Sequence, residues 1–120
     1  KALQEKITWA DELIFVAPVW WGDIPAIMKN FIDCNFISGF AFKYIDSKAV
    51  GLLKGKSARI ILTAGGPSFF YKLILHIQWM WKFNRISFCG IKQKSFTVFG
   101  MMDSKETDRS KYLPEVDKLI

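Results

Sequence analysis

The chain has 120 residues, 51% of them hydrophobic and 23% charged; that length makes one small domain, and that balance excludes a disordered segment. The net charge is +6, yet the lysines are scattered and no binding motif accompanies them, which points to a solvated surface and not to a nucleic-acid binder. Cys34 and Cys89 stand far apart and the chain holds one histidine, which excludes a zinc site and reads as two reduced core thiols in a cytoplasmic protein.

In chain order, residues 2–10 read as helix, with Leu3 and Ile7 at i, i+4. Asp11 to Ala17 reads as a strand with apolar residues on both faces, the pattern of a central parallel strand covered by helices. Pro18 ends it, Trp20 and Trp21 open a loop, and Pro25 starts a helix, where its missing N–H is not needed. That helix continues to about Phe36 with Ile27, Phe31 and Cys34 or Asn35 along one stripe. Ser38 to Leu53 is loop-rich, punctuated by Gly39 and Gly51. Ala58 to Thr63 is a second buried strand, broken by Gly65-Gly66-Pro67.

A long helix is predicted from about Phe70 to Asn84. It is apolar around nearly its whole circumference, which calls for burial against its own sheet and a partner. The run from Phe69 to Phe83 is too short for a membrane span and carries Lys72, His76, Gln78 and Lys82. Ser95 to Phe99 is a third strand, ended by Gly100, and Ser104 to Ile120 reads as a polar helix interrupted near Pro114. Strands alternating with helices indicate an α/β fold with a parallel sheet.

In such sheets ligands bind beyond the carboxyl ends of the strands. Two readings of Trp20 and Trp21 stand there: a wall for a flat aromatic ligand, or core and subunit contacts. Gly65-Gly66 follows the next strand, and two residues without Cβ either admit a ligand close to the backbone or make an ordinary turn. Lys29 and Asp33, at i, i+4, read as a surface pair.

Five stretches carry a resemblance along most of the chain. They are Ala10-Asp11-Glu12-Leu13-Ile14-Phe15, the run from Pro18-Val19-Trp20-Trp21 through Pro25-Ala26 and Lys29 to Asp33, Gly39-Phe40-Ala41-Phe42-Lys43-Tyr44, Gly51-Leu52-Leu53-Lys54-Gly55-Lys56, and Thr63-Ala64-Gly65-Gly66-Pro67 with Tyr71. In content, order and spacing the sequence resembles the flavodoxin-like NAD(P)H:quinone oxidoreductases. The resemblance implies a flavodoxin-like three-layer α/β sandwich, of which residues 1–120 would be one domain holding the C-terminal three strands and their helices. Two βα units would precede the strand at Leu13, on the order of 60–70 residues at roughly 30 or more per βαβ unit. The expectation is the C-terminal portion of a longer oxidoreductase, or else a degenerate shortened copy. Either way the strand at Leu13 would present an unpaired edge, and the chain alone would be marginal or aggregation-prone. The opening Lys1 to Lys6 is read as carrying no signal peptide.

The resemblance further implies an FMN or FAD cofactor and NAD(P)H as electron donor, with hydride passing through flavin N5 in a ping-pong cycle to a quinone or similar flat acceptor. Pro18, Val19, Trp20 and Trp21 would form the first loop against the flavin ring, their N–H groups facing its polar edge, and Thr63, Ala64, Gly65 and Gly66 the second. Tyr71 falls at the family's active-site tyrosine. Phe42 and Tyr44 match aromatics of the substrate pocket, which the family builds across a homodimer; Phe42 stands where a Tyr would add a hydroxyl donor. His76 lies one residue short of the family's histidine, and one residue turns a helix by about 100°, so a buried structural role competes with any part in proton transfer. The phosphate turn of the family has no counterpart in this sequence. A regulatory subunit of a membrane transporter, docking through Trp79, Met80 and Trp81, and an inactive truncated oxidoreductase are the alternatives.

Overall fold

The computed structural model describes residues 1–119. In chain order the elements are α1 (Ala2–Trp9), β1 (Glu12–Pro18), α2 (Ala26–Asn35), β2 (Phe42–Ile45), β3 (Lys48–Gly51), β4 (Ser57–Thr63), α3 (Ile77–Trp79) within a longer helical segment, β5 (Lys92–Phe99) and α4 (Leu113–Leu119). The expected α/β architecture is present: β1, β4 and β5 form a parallel sheet in the order β1-β4-β5, and β2 and β3 make a separate antiparallel hairpin.

The central strand β4 is buried on both faces, with Ala58, Ile60, Ile61 and Leu62 all inside, as a strand flanked on both edges should be. In β1 the burial alternates, contrary to the two-faced burial read from sequence. Phe15 and Ala17 point into the core, while Ile14 and Val16 are exposed. The strand is an edge, as the resemblance implied, and only its inner face meets packed side chains. There Phe15 contacts Trp81 and Phe36, with ring centroids at 5.1 and 6.4 Å.

Helix α2 starts after Pro25 as expected, but its buried residues are Ile32 and Asn35, and Ile27 is exposed. Asn35 tolerates burial because its amide donates to Phe31 O at 2.7 Å. Cys34 is exposed and only Cys89 is a core thiol, which corrects the reading of two core cysteines. Burial pushes the Cys89 thiol up to about 11. The stretch read as loop from Ser38 to Leu53 contains the β2–β3 hairpin. Gly51 packs against the Cys89–Gly90 backbone so closely that a Cβ would collide with it.

The helix predicted from Phe70 to Asn84 is broken. A π-helical stretch, Phe70–Ile74, ends where Leu75 N–H returns to Phe70 O. His76 then takes a left-handed conformation at φ 49°, and α3, a second π-helical stretch (Met80–Ile86) and a 3-10 turn (Ser87–Cys89) follow. In a straight helix Tyr71 and Ile77 would point about 120° apart. The break lets Tyr71 reach the end of β4 while Ile77, Trp81 and Ile86 fill the core. Burial all round is also corrected: Phe69, Leu73, Ile74 and Trp79 are exposed.

Strand β5 begins at Lys92, three residues earlier than read, because a bulge shifts its register beside Ala58 and Arg59. Lys94 lies between the paired residues Gln93 and Ser95 and reaches the Glu12 carboxylate at 2.8 Å, beside Arg59 at 3.0 Å. Lys94 first, with Arg59 and Ser57, holds that carboxylate below its ordinary range, against desolvation that pushes it up and ranks second only to Lys94. Residues 104–108 are turns, not helix, and Pro114 sits in the first turn of α4, where it interrupts nothing. Ile120, the end of the predicted C-terminal helix, lies outside the described residues.

Candidate functional site

Parallel pairing sets the carboxyl ends of β1, β4 and β5 side by side, with Pro18 opposite Thr63 and Thr63 opposite Phe99. The two loops singled out in the sequence therefore leave the sheet together. Val19 N–H donates to Thr63 O at 2.7 Å, and Ala64 N–H donates to Phe99 O at 2.9 Å. These bonds continue the ladder past the strand ends. Val19 and Ala64 are buried, so each belongs to the floor of the site and exposes no side chain.

The second loop is held by backbone. Met102 N–H donates to Ala64 O and Met101 N–H to Gly66 O, both at 2.9 Å. A Cβ on Gly65 would collide with the Asp103 carboxylate, and one on Gly66 would stand 3.3 Å from the Tyr71 oxygen. The glycines are needed for these approaches and not only for a turn. Tyr71, reaching back from the broken helix, accepts the Gly66 N–H on its hydroxyl at 3.2 Å. The hydroxyl keeps its own proton to donate.

The first loop is a tight reverse turn. Trp20 N–H donates to Asp23 O at 2.7 Å and Asp23 N–H to Trp20 O at 3.0 Å. The two residues between, Trp21 and Gly22, have φ of 51° and 77°, the positive pair of a type I′ turn. Gly22 adopts this freely, whereas Trp21 does so at a cost of about 1 kcal/mol. Its indole is fully exposed and recovers nothing by packing. Trp20 is mostly exposed as well, so neither tryptophan is a core residue.

One reading of these loops needs correction. The N–H groups of Val19 and Trp20 are taken by Thr63 O and Asp23 O, that of Ala64 by Phe99 O and that of Gly66 by Tyr71. They cannot all face a ligand. Those of Trp21 and Gly65 have no protein partner among the described residues.

Two residues that the sequence did not single out complete the first loop. The Asp23 carboxylate accepts from Ile24 N–H at 2.8 Å, and both its oxygens receive Arg85 Nη2 at 2.8 Å. They lie 62 residues apart, so no local signal links them.

Phe42 and Tyr44 do share one side of β2, with ring centroids 5.8 Å apart, and Phe42 also meets Phe88 at 4.9 Å. Phe42 and Phe88 line a cleft of about 420 Å³ with Ile32, Phe36, Met80 and Arg85. Lys29 and Arg85 at this cleft are already paired with Asp33 and Asp23. Lys29 and Asp33 form the expected i, i+4 surface pair at 2.7 Å. His76 is exposed at the helix break, neither buried nor on the Tyr71 side of a continuous helix. Among the described residues no group of three or more His, Cys, Asp or Glu is placed to hold a metal ion, and no helix is long and apolar enough to cross a membrane.

The family model for the flavodoxin-like fold matches residues 1–120. Among curated proteins, an FMN-dependent NADH:quinone oxidoreductase of Caldicellulosiruptor saccharolyticus is 51% identical over 57 residues, 48% of this chain and 28% of that protein. Ribosyldihydronicotinamide dehydrogenase (quinone) of Mus musculus is 34% identical over 113 residues, 88% of this chain and 49% of that one. The chain thus spans about half the length, or less, of these relatives. Among solved structures, Smu.1420 from Streptococcus mutans superposes with a TM-score of 0.89 at 34% identity, over 98% of this chain and 63% of that one. A putative quinone reductase from Klebsiella pneumoniae superposes with a TM-score of 0.78 at 30% identity, over 98% and 50%.

Proposed function

The chain is a member of the flavodoxin-like fold family, and on that premise we propose that it is the ring-binding part of an FMN-dependent NAD(P)H:quinone oxidoreductase. The observation that carries the reading is the pair of loops at the carboxyl edge of the sheet. Trp21 is exposed and strained on one, Gly65 and Gly66 lie without side chains on the other, and the Tyr71 hydroxyl is fastened to the second by the Gly66 N–H. Strain retained at an exposed aromatic is a mark of a functional position.

A flavin ring fits these residues. It needs a flat wall, which the indoles of Trp20 and Trp21 supply, and N–H donors at its polar edge, for which Trp21 and Gly65 are free. Bound there, a flavin would supply two-electron hydride chemistry between a reduced nicotinamide and an acceptor. The protein's part is to orient and to stabilise charge. The unpaired Trp21 and Gly65 N–H groups would hold the ring's polar edge and would stabilise negative charge there without reorganisation if they are preset. The Tyr71 hydroxyl, oriented by the Gly66 N–H it accepts, donates to developing oxygen charge on ring or acceptor.

Phe42, Tyr44 and Phe88 form an aromatic rim on the hairpin side, and we assign it to the acceptor pocket of a second copy in a homodimer, in a cytoplasmic setting that keeps Cys34 and Cys89 as free thiols. Two relatives bear names of quinone oxidoreductases, one of them FMN-dependent, which favours FMN over FAD and a quinone acceptor. The test is a titration of FMN and of FAD followed by flavin fluorescence, then NADH and NADPH oxidation with a quinone. Saturable quenching by FMN and quinone-dependent oxidation are expected; absence of both overturns the reading. A second reading, a non-catalytic subunit on a membrane transporter, is favoured by the exposed Trp79–Phe83 pair, whose rings lie 4.5 Å apart. Loss of partner capture in a Trp79→Ala variant with flavin turnover intact would mark that surface.

A further inference from the structure

We propose that Arg85 is a positioning residue for the first loop: through the Asp23 carboxylate it holds the Trp20–Asp23 turn in its strained shape and so sets the pose of the Trp21 indole against a bound flavin ring. This inference rests on the reading of that loop as ring-contacting. It concerns a pair outside the motif residues, Asp23 in the turn and Arg85 on the second π-helical stretch.

The argument starts from the cost of the turn. Trp21 carries positive φ without glycine's freedom, and its exposed side chain buries no surface in return. Something else must over-determine the conformation. Two backbone bonds between Trp20 and Asp23 close the turn, but both lie at the surface end of the sheet. The remaining tie is the Asp23 side chain. Its Oδ1 caps Ile24 N–H, and both oxygens meet Arg85 Nη2.

Arg85 is well suited to act as a fixed post. Its side chain retains 10% of its accessible surface, against 38% for Asp23. The guanidinium lies over the Trp81 ring, 5.2 Å from its centroid, and Trp81 is fully buried against Phe15. A continuous series of packed groups therefore runs from β1 through Phe15, Trp81 and Arg85 to Asp23 and the Trp turn. Arg85 Nη1 is buried without a hydrogen-bond partner. What the pair fixes is direction: both Asp23 oxygens meet one guanidinium nitrogen that is itself held against the core. Geometry of the loop is the gain that the pair provides. Such outer contacts decide whether a site is held tightly enough to work.

The test uses this protein with 5-fluorotryptophan in place of its five tryptophans, read by fluorine NMR, together with FMN titration. The Trp21 line is assigned with Trp21→Phe, and the buried Trp81 line reports whether the core is intact. In Arg85→Gln the Trp21 line should shift and broaden while the Trp81 line stays dispersed, and FMN affinity should fall by about tenfold or more. Asp23→Asn, which keeps an oxygen for Ile24 N–H, should have the same two effects. The double variant should be no worse than either single, because both act on one contact. Arg85→Lys should restore part of the affinity. If the wild-type protein binds FMN and Arg85→Gln and Asp23→Asn bind it equally well with an unmoved Trp21 line, the inference is overturned and the functional reading stands. If the wild-type protein does not bind FMN, the functional reading fails, and the role assigned to Arg85 fails with it. Loss of the Trp81 dispersion in Arg85→Gln moves the decision to Asp23→Asn, whose exposed carboxylate can be changed without opening the core.

Discussion

The two loops at the carboxyl edge of the sheet do one job by opposite means. The Thr63–Gly66 loop is held by backbone: its carbonyls and N–H groups are bonded to Phe99, Met101, Met102 and Tyr71, and its glycines let neighbours come within contact distance. The Trp20–Asp23 loop closes on itself with two backbone bonds but is tied to the rest of the molecule by side chains: the Asp23 carboxylate meets a distant guanidinium that is stacked on a buried indole. A loop held mostly by backbone is changed chiefly by adding atoms to it, Tyr71 being its one side-chain support. A side-chain-held loop can be changed from far away. The first kind makes a rigid floor and the second an adjustable wall.

The largest effect expected is on the post behind the wall. Trp81→Ala should cost about 3–5 kcal/mol of stability, measured by urea unfolding, because a fully buried indole touching Phe15 and Arg85 is removed. A loss under about 1 kcal/mol would mean that the core closes over the gap and that Arg85 lacks a firm base. Next is the floor: Gly65→Ala should lose about 1–3 kcal/mol, and Gly65→Ala with Asp103→Ala should recover most of it, since Asp103 is the group a Cβ would strike. No recovery would place the constraint in the backbone itself.

Tyr71→Phe separates stability from chemistry. Losing the bond from Gly66 N–H should cost about 1 kcal/mol, whereas quinone-dependent turnover should fall by about 100-fold if the hydroxyl is a proton donor. Unchanged turnover would reduce Tyr71 to a support for the loop. Trp21→Gly should raise stability by about 1 kcal/mol while weakening FMN binding, because it relieves the left-handed strain and removes the wall. A stability gain without a loss of affinity would leave the strain unexplained by ligand binding.

The smallest effect is at the opposite end of the sheet, where Lys94, Arg59 and Ser57 hold Glu12 below its ordinary range. A carboxyl with a lower pKa folded than unfolded stabilises above its unfolded pKa, about 4.3, and loses that contribution as pH falls through the folded value. Unfolding midpoints of the native chain and Glu12→Gln should therefore differ at pH 6 and converge as the pH drops below 4. Equal midpoints at all pH values would show the cluster to be solvent-screened.

The sequence made the parallel strands legible because buried strands are short apolar runs closed by Pro18, Gly65-Gly66 and Gly100. It showed both loops for the same reason: special residues must follow a strand that ends at a site. The hairpin was not legible. Its two-residue turn is Asp46-Ser47, with φ of 48° and 62°, and lacks the glycine by which such turns are recognised. The break at His76 was hidden too, since Leu75-His76-Ile77 has no proline or glycine, and only the competing demands of the site and the core produce it.

What the sequence determined by itself is local: which segments are the parallel strands, where those end, and which aromatic and glycine residues stand at those ends. These follow from side-chain pattern and backbone freedom within a few residues. The tertiary structure decided which of those groups are usable. It buried Val19 and Ala64, occupied the N–H groups of Val19, Trp20 and Gly66, turned Tyr71 toward the second loop, and joined Asp23 to Arg85 across 62 residues. Such pairings depend on the packing of distant elements, and a sequence pattern read in windows of a turn or a strand has no term for that distance.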